Sequence, residues 1–363
     1  MTNLNSDSNS IPRSSTDVKP ATTGAFGKGT VSRAARFYVE FVLTLIAVLV
    51  ATALSYLRRF PGFVEAPYWY LTYKSGFIRR GLVGTFVSPF LVGHTYDEGI
   101  TRVAEICTAV AAIYLLLLIL LAMAIRAAIP VPRLRYWWLL VVFVALASPG
   151  LPNLAQDLGT LDTIMALVAI LGLVALLTGA LVPALLCAVI GPLIHEAFIF
   201  LFLPLLLSVW GAWPSQRRAA ILSASATILT TLTIWHFSLR HFTWQPGVPI
   251  SQKDLADFAA WQLGQGLQLT PWSNWKYNLM DGTLTWTIVS ILAMIAFVRA
   301  LLPRQHWALA RIVGGTVFSM SIAIVAIDTA RLMNWGCLTA PILCGLEVAG
   351  YWRGRSQHGS VDS

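Results

Sequence analysis

The chain has 363 residues, 57% of them hydrophobic and 11% charged, with a mean hydropathy of +0.70. Soluble domains carry about a quarter charged residues, so the composition excludes an ordinary soluble protein and points to an integral membrane protein. The net charge of +9 does not indicate nucleic acid, because the basic residues fall between long apolar runs instead of along one stripe.

Residues 1–33 are rich in Ser, Thr, Asn, Pro and Gly and are expected to form a disordered tail. No apolar run occupies the first 30 residues, so a cleaved signal peptide is not expected, and the run beginning near Phe37 reads as an uncleaved signal-anchor. A hydrocarbon core of about 30 Å needs roughly 20 apolar residues per helix. By that measure the spans are 37–57, 103–125, 136–150, 162–180, 217–239, 284–301, 311–330 and 333–351. Between 181 and 213 lies an apolar stretch broken by Gly191-Pro192, His195-Glu196 and Pro204, too long for one helix and short for two. Two sizeable loops, 58–102 and 240–283, and a short tail from 353 to 363 complete the chain, with 34–352 as the membrane domain. Residues 82–93 are apolar but too few to span, as in an interfacial or re-entrant helix.

Charge decides how 181–213 crosses. With a single span there, Arg217, Arg218, Arg299, Arg304, Arg311, Arg353 and Arg355 all fall on the non-cytoplasmic side. A turn near Gly191–Glu196 moves all seven inside, beside Arg126, Arg133 and Arg135. The expected fold is therefore an all-α polytopic transmembrane helix bundle of about ten spans with both termini cytoplasmic. The alternative is eight or nine spans with 136–160 re-entrant and 182–210 as one span. In the ten-span arrangement 15 of the 25 Lys and Arg lie inside, while 11 of the 16 acidic residues lie outside or at outer helix ends. Polar equipment thus gathers on the non-cytoplasmic face.

Five groups of residues carry the candidate chemistry. Tyr73-Lys74-Ser75-Gly76-Phe77-Ile78-Arg79-Arg80-Gly81 sets three cations among glycines, and guanidinium groups bind phosphate oxygens bidentately. Its structural counterpart is snorkelling beside lipid headgroups. Asp157 and Asp162 flank the outer start of the fourth span. Asp162 suits an N-cap, which leaves Asp157 unexplained. His195-Glu196 stands alone in 33 otherwise uncharged residues, where ionisable groups are costly and suggest function. A His and a carboxylate can serve as base and orienting partner, or as a buried pair that locks helices. HExxH zinc chemistry is excluded because position 199 is Ile. Asp328 and Arg331 share one helix face and can pair with each other. Loop 240–283 mixes Arg240, His241, Lys253 and Lys276 with tryptophans, which suits sugar stacking or interface anchoring. Glu40 and Glu347 read as structural or interfacial. Cys107, Cys187, Cys337 and Cys344 form no CxxC pair and read as small core residues. No metal site is evident, although outer carboxylates could hold a divalent ion, and no other cofactor is expected.

The order Lys74-Ser75-Gly76-Phe77-Ile78-Arg79-Arg80-Gly81, a loop Asp, His195-Glu196 in an apolar stretch and Asp328-x-x-Arg331 resembles bacterial multispanning envelope-polysaccharide proteins. These are the Wzy-like O-antigen and exopolysaccharide polymerases and, more distantly, the GT-C glycosyltransferases. GT-C enzymes commonly place a catalytic carboxylate in the first outer loop, and Glu65, Asp97 and Glu98 here match no such motif. The resemblance implies a bacterial inner-membrane glycosyltransferase or polymerase using a sugar donor on a polyprenyl phosphate or diphosphate. Lys74, Arg79, Arg80 and Arg331 would hold phosphate, with Asp328 in support. His195, Glu196, Asp162 or Asp157 would act on the acceptor hydroxyl. Other expectations stand beside it: a transporter or flippase for an anionic lipid or solute, an acyltransferase with His195 as base, or a structural partner in an envelope biosynthesis complex.

Overall fold

The computed structural model describes residues 39, 42, 46, 69, 73, 81–91, 96–129, 161–212, 218–241, 276, 283–302, 305–321 and 335–358. Contacts divide the chain into Met1–Leu43 and Thr44–Ser363. Of the first unit only Val39 and Val42 are described, both helical and exposed. The second contains α1 Gly81–Leu91, α2 Tyr96–Ala128, α3 Asp162–Thr178, α4 Leu181–Ile194, α5 Phe198–Ala212, α6 Arg218–His241, α7 Thr283–Leu301, α8 His306–Ser321 and α9 Trp335–His358. No strand occurs among the described residues, so this part of the chain is all-α.

Several helices overrun the apolar segments that announce them. α2 begins at Tyr96, so Asp97, Glu98 and Arg102 stand on a helix and not in an irregular loop. Acidic residues in a first turn suit the helix dipole, and apolarity alone does not mark where helical backbone starts. α9 likewise continues to His358, through the segment expected as a tail. Thr101–Ala127 and Arg218–Ser238 are long and apolar enough to cross a membrane, whereas Gly81–Leu91, Asp162–Thr178, Leu181–Ile194 and Phe198–Gly211 are apolar but shorter.

α3 ends in a Schellman turn. Gly179 sits at φ 88°, its N–H donates to the Leu176 carbonyl at 3.2 Å, and the Ala180 N–H donates to the Ala175 carbonyl at 2.8 Å. This turns the chain directly into α4. α4 stops at His195, whose backbone is extended (φ −155°, ψ 128°) while its N–H still donates to the Gly191 carbonyl at 3.0 Å. After Glu196 and Ala197, α5 starts with the Phe198 N–H donating to the His195 carbonyl at 3.0 Å.

The break at 195–197 is a reversal. Asp162 and His195 are neighbours, so α3 and α4 share that end. Gly172 lies ten residues into α3, about 15 Å along the axis. A Cβ placed on Gly172 would be 3.0 Å from Cys187 Cβ of α4 and 2.8 Å from the ring of Phe202 on α5. Phe202 could not reach that depth if α5 continued onward from α4. α5 therefore folds back, and the Phe198 ring lies against the bare Cα of Gly191.

The later helices continue to alternate. α8 runs antiparallel to α5, with Arg311 against Gly211, Gly315 against Pro204, and the Ser319 hydroxyl donating to the Phe200 carbonyl at 2.8 Å. α9 runs antiparallel to α8, since Leu343 meets Gly315 and Met320 meets Gly336. Ile291 of α7 also approaches Gly336. α6 starts beside the end of α5, with the Arg218 guanidinium 5.4 Å above the Trp210 ring. α5 is the central element: Phe198, Phe202, Leu205, Leu206 and Val209 are fully buried. Outward faces are also apolar, as at Val182, Leu186 and Ile190 on α4.

Arg218, Arg311 and Arg353 stand at or near the helix ends opposite Asp162 and His195, and Arg299 lies in the last turn of α7, just before α8 begins at that end. The ends of α8 and α9 that residues 322–334 join, Ser321 and Trp335, are on the His195 side.

Candidate functional site

Asp162, His195 and Glu196 meet where α3 begins and α4 turns into α5. Asp162 is the first residue of α3, and Leu161, not Asp162, holds the cap position. The expected N-cap role is thereby corrected. The side chain turns toward His195, with Oδ1 3.7 Å from Nε2. On the other side of the ring, Glu196 Oε2 is 3.7 Å from Nδ1. Both separations exceed ordinary hydrogen-bond length, so these are close approaches and not hydrogen bonds. Thr163, next to Asp162, is also buried.

The backbone assigns the imidazole tautomer. The Ala197 N–H donates to His195 Nδ1 at 3.0 Å. That nitrogen is then the acceptor, and in a neutral ring the proton resides on Nε2, facing Asp162. The extended conformation at His195 is what lets the ring curl back onto the N–H two residues ahead. The Nε2–H thus faces Asp162 at 3.7 Å, beyond hydrogen-bond length, and the ring's lone pair is occupied. This differs from a role for His195 as the primary base.

Burial separates the three further. The His195 and Asp162 side chains are 6% and 2% exposed, whereas that of Glu196 is 34% exposed. Glu196 is the least buried member of the cluster, its Oε2 covered where it faces His195, with His195 between it and Asp162. A partly exposed carboxylate can accept a proton from a hydroxyl. No group of three His, Cys, Asp or Glu suited to a metal ion occurs among the described residues. Cys107 and Cys344 are buried free thiols and Cys187 a half-buried one.

Lys74, Arg79, Arg80, Asp157, Asp328 and Arg331 lie outside the described residues, as does most of loop 240–283. Arg240 and His241 belong to the end of α6. Of the expected site residues, the structure brings together Asp162, His195 and Glu196.

A second polar centre, not anticipated as such, lies at the other end of α5. Arg311 Nε and Nη2 donate to Glu347 Oε1 and Oε2 at 2.6 and 2.7 Å, a bidentate pair. Glu347 is 2% exposed and Ser208 of α5 lies beside it. The guanidinium occupies the space a side chain at Gly211 would fill. The sequence signal was present: Glu347 is the lone acid of an apolar run, and Gly211 marks a close approach.

No family model, curated protein or solved structure matches the chain.

Proposed function

We propose that the chain is a polytopic membrane enzyme that transfers a lipid-linked sugar at the non-cytoplasmic face, as a glycosyltransferase or polysaccharide polymerase of the bacterial cell envelope. The observation that carries this reading is the Asp162–His195–Glu196 cluster, placed at the helix ends opposite Arg218, Arg299, Arg311 and Arg353. Under the positive-inside rule the arginine end is cytoplasmic and the carboxylate–histidine end faces outward. The reversal at His195 supports the same orientation, about ten spans and cytoplasmic termini.

In the reaction, an acceptor hydroxyl forms a new bond to the anomeric carbon of the donor sugar. The carbon–oxygen bond to the carrier phosphate breaks, and its electron pair leaves with the phosphate. The hydroxyl proton passes to Glu196. His195, held neutral and fixed in orientation by the Ala197 N–H at Nδ1, stands between Glu196 and the buried Asp162 carboxylate. The leaving phosphate is already anionic, so cations matter more than an acid. Lys74, Arg79, Arg80 and Arg331 are the sequence candidates for that task, with Asp328 in support, and Asp157 is a further candidate for acting on the acceptor hydroxyl.

Chromosomal Glu196→Gln should abolish assembly of the surface glycan in the native host with protein level unchanged. Arg79→Ala and Arg80→Ala should do the same. Wild-type glycan profiles in all three would overturn the reading.

One observation favours a second reading, a transporter of an anionic lipid-linked or small solute. Short helices that meet at a polar tip are a feature of transporter binding sites, and here the Arg311–Glu347 pair sits at the opposite end of the same helix. Thiol-reagent accessibility of cysteines placed at 157, 195 and 328 separates the two. An enzyme exposes them from the outside only, and a transporter from both sides in alternation. The assigned tautomer weighs against an acyltransferase that uses His195 as base.

A further inference from the structure

The short helix α1 has a feature that the proposed reaction does not use. Its sequence, GLVGTFVSPFL, contains no charged residue. Gly81, Val83, Gly84 and Leu91 are buried, and Val83 and Leu91 belong to the main apolar cluster, so the helix is seated on the bundle. The Tyr73 N–H donates to Thr85 Oγ1 at 2.8 Å, and that hydroxyl donates to the Gly81 carbonyl at 2.7 Å, which ties the preceding chain to the middle of the helix. The opposite face carries Phe86 and Phe90, 70% and 71% exposed, with Pro89 exposed between them. Positions 86, 89 and 90 are i, i+3 and i+4 and form one stripe.

We propose that α1 is an interfacial helix whose Phe86–Pro89–Phe90 face is inserted among phospholipid acyl chains of one leaflet. Eleven residues make about 16 Å of helix, roughly half the hydrocarbon thickness, so α1 does not cross. A pair of bare phenylalanines on an anchored, uncharged helix finds no favourable partner in water. Two arginines immediately precede Gly81 in the sequence, the charge that lipid phosphates attract at the edge of an apolar insertion. The outward faces of neighbouring helices, at Leu186 on α4 and Leu229 on α6, are equally apolar, so acyl chains are the common occupant of this surface. The proposal rests on the membrane part of the reading above and not on its chemistry.

The test uses the full-length chain with its native cysteines replaced by alanine. Single cysteines at Phe86, Phe90 and Leu186 carry an environment-sensitive fluorophore. The protein is reconstituted in phosphatidylcholine–phosphatidylglycerol liposomes containing lipids with a spin-label quencher near the headgroup end or near the methyl end of the acyl chain. The expected result is blue-shifted emission at both phenylalanine positions, quenched more strongly by the headgroup-end label. Water-like, unquenched emission at 86 and 90 alongside a quenched 186 overturns the proposal and leaves the membrane reading intact. Stronger quenching by the methyl-end label at 86 and 90 overturns it in favour of a crossing segment. Dilution-dependent self-quenching at 86 and 90 without lipid quenching overturns it in favour of a second copy of the chain. If position 186 is also unquenched, the membrane reading itself fails.

Discussion

Replacing Arg311 by leucine strips the buried Glu347 carboxylate of both donors it receives at 2.6 and 2.7 Å. Glu347 is 2% exposed, so water cannot replace them. Removing one partner of a buried ion pair typically costs about 3–5 kcal/mol, because the remaining charge is left uncompensated. Replacing both partners by apolar residues is often neutral. Arg311→Leu should therefore destabilise the protein by about 3–5 kcal/mol, and Arg311→Leu with Glu347→Leu should return to within about 1 kcal/mol of wild type. Gly211→Ala extends the cycle. Its new methyl occupies the position of the guanidinium, so it should be costly in wild type and nearly neutral once Arg311 is leucine. The assay is equilibrium unfolding of purified variants in mixed micelles, followed by tryptophan fluorescence. A double leucine variant as unstable as the sum of the two single variants would refute the reasoning, as would a Gly211→Ala effect independent of residue 311.

Two further substitutions test the turns that place the site. Gly191→Ala puts a methyl into the Phe198 ring at the hairpin tip, where a well-packed core answers overpacking with about 1–3 kcal/mol; the same unfolding assay reads it, and a loss below that range means Phe198 moves freely. Gly179→Ala forces an L side chain to φ 88° in the α3–α4 turn and should cost about 1 kcal/mol, whereas Gly179→Asn, which tolerates the left-handed region, should cost less. Equal losses for the two would show that the turn relaxes out of that conformation.

Much of the helix pattern is local and was readable from the chain. Apolar runs near 162–180, 217–239 and 284–301 became α3, α6 and α7, because burial of an apolar stretch demands backbone hydrogen bonds satisfied within the segment. The break near Gly191–Glu196 was readable too, from Gly191-Pro192 and an isolated His-Glu pair in an apolar stretch. Helix ends were less legible. At Tyr96–Arg102 and Arg353–His358 polar residues prolong helices that hydropathy ends early. Asp162 had the composition of a cap, yet the residue before it takes that position.

The pairing of distant residues was decided by tertiary structure. Asp162 and His195 are brought together because the α3–α4 turn and the extended residue at 195 return the chain to its starting level. Arg311 finds Glu347 because α8 and α9 are antiparallel and Gly211 leaves room. The roles within the cluster also depend on folded geometry. Composition names a histidine and two acids as candidates, and only the Ala197 N–H at Nδ1 and the unequal burial turn the His195 Nε2–H toward Asp162 and make Glu196 the least buried of the three. Hydropathy and turn chemistry act over a few residues and can be read along the chain. A tautomer or an ion pair is set by which helix faces meet in space.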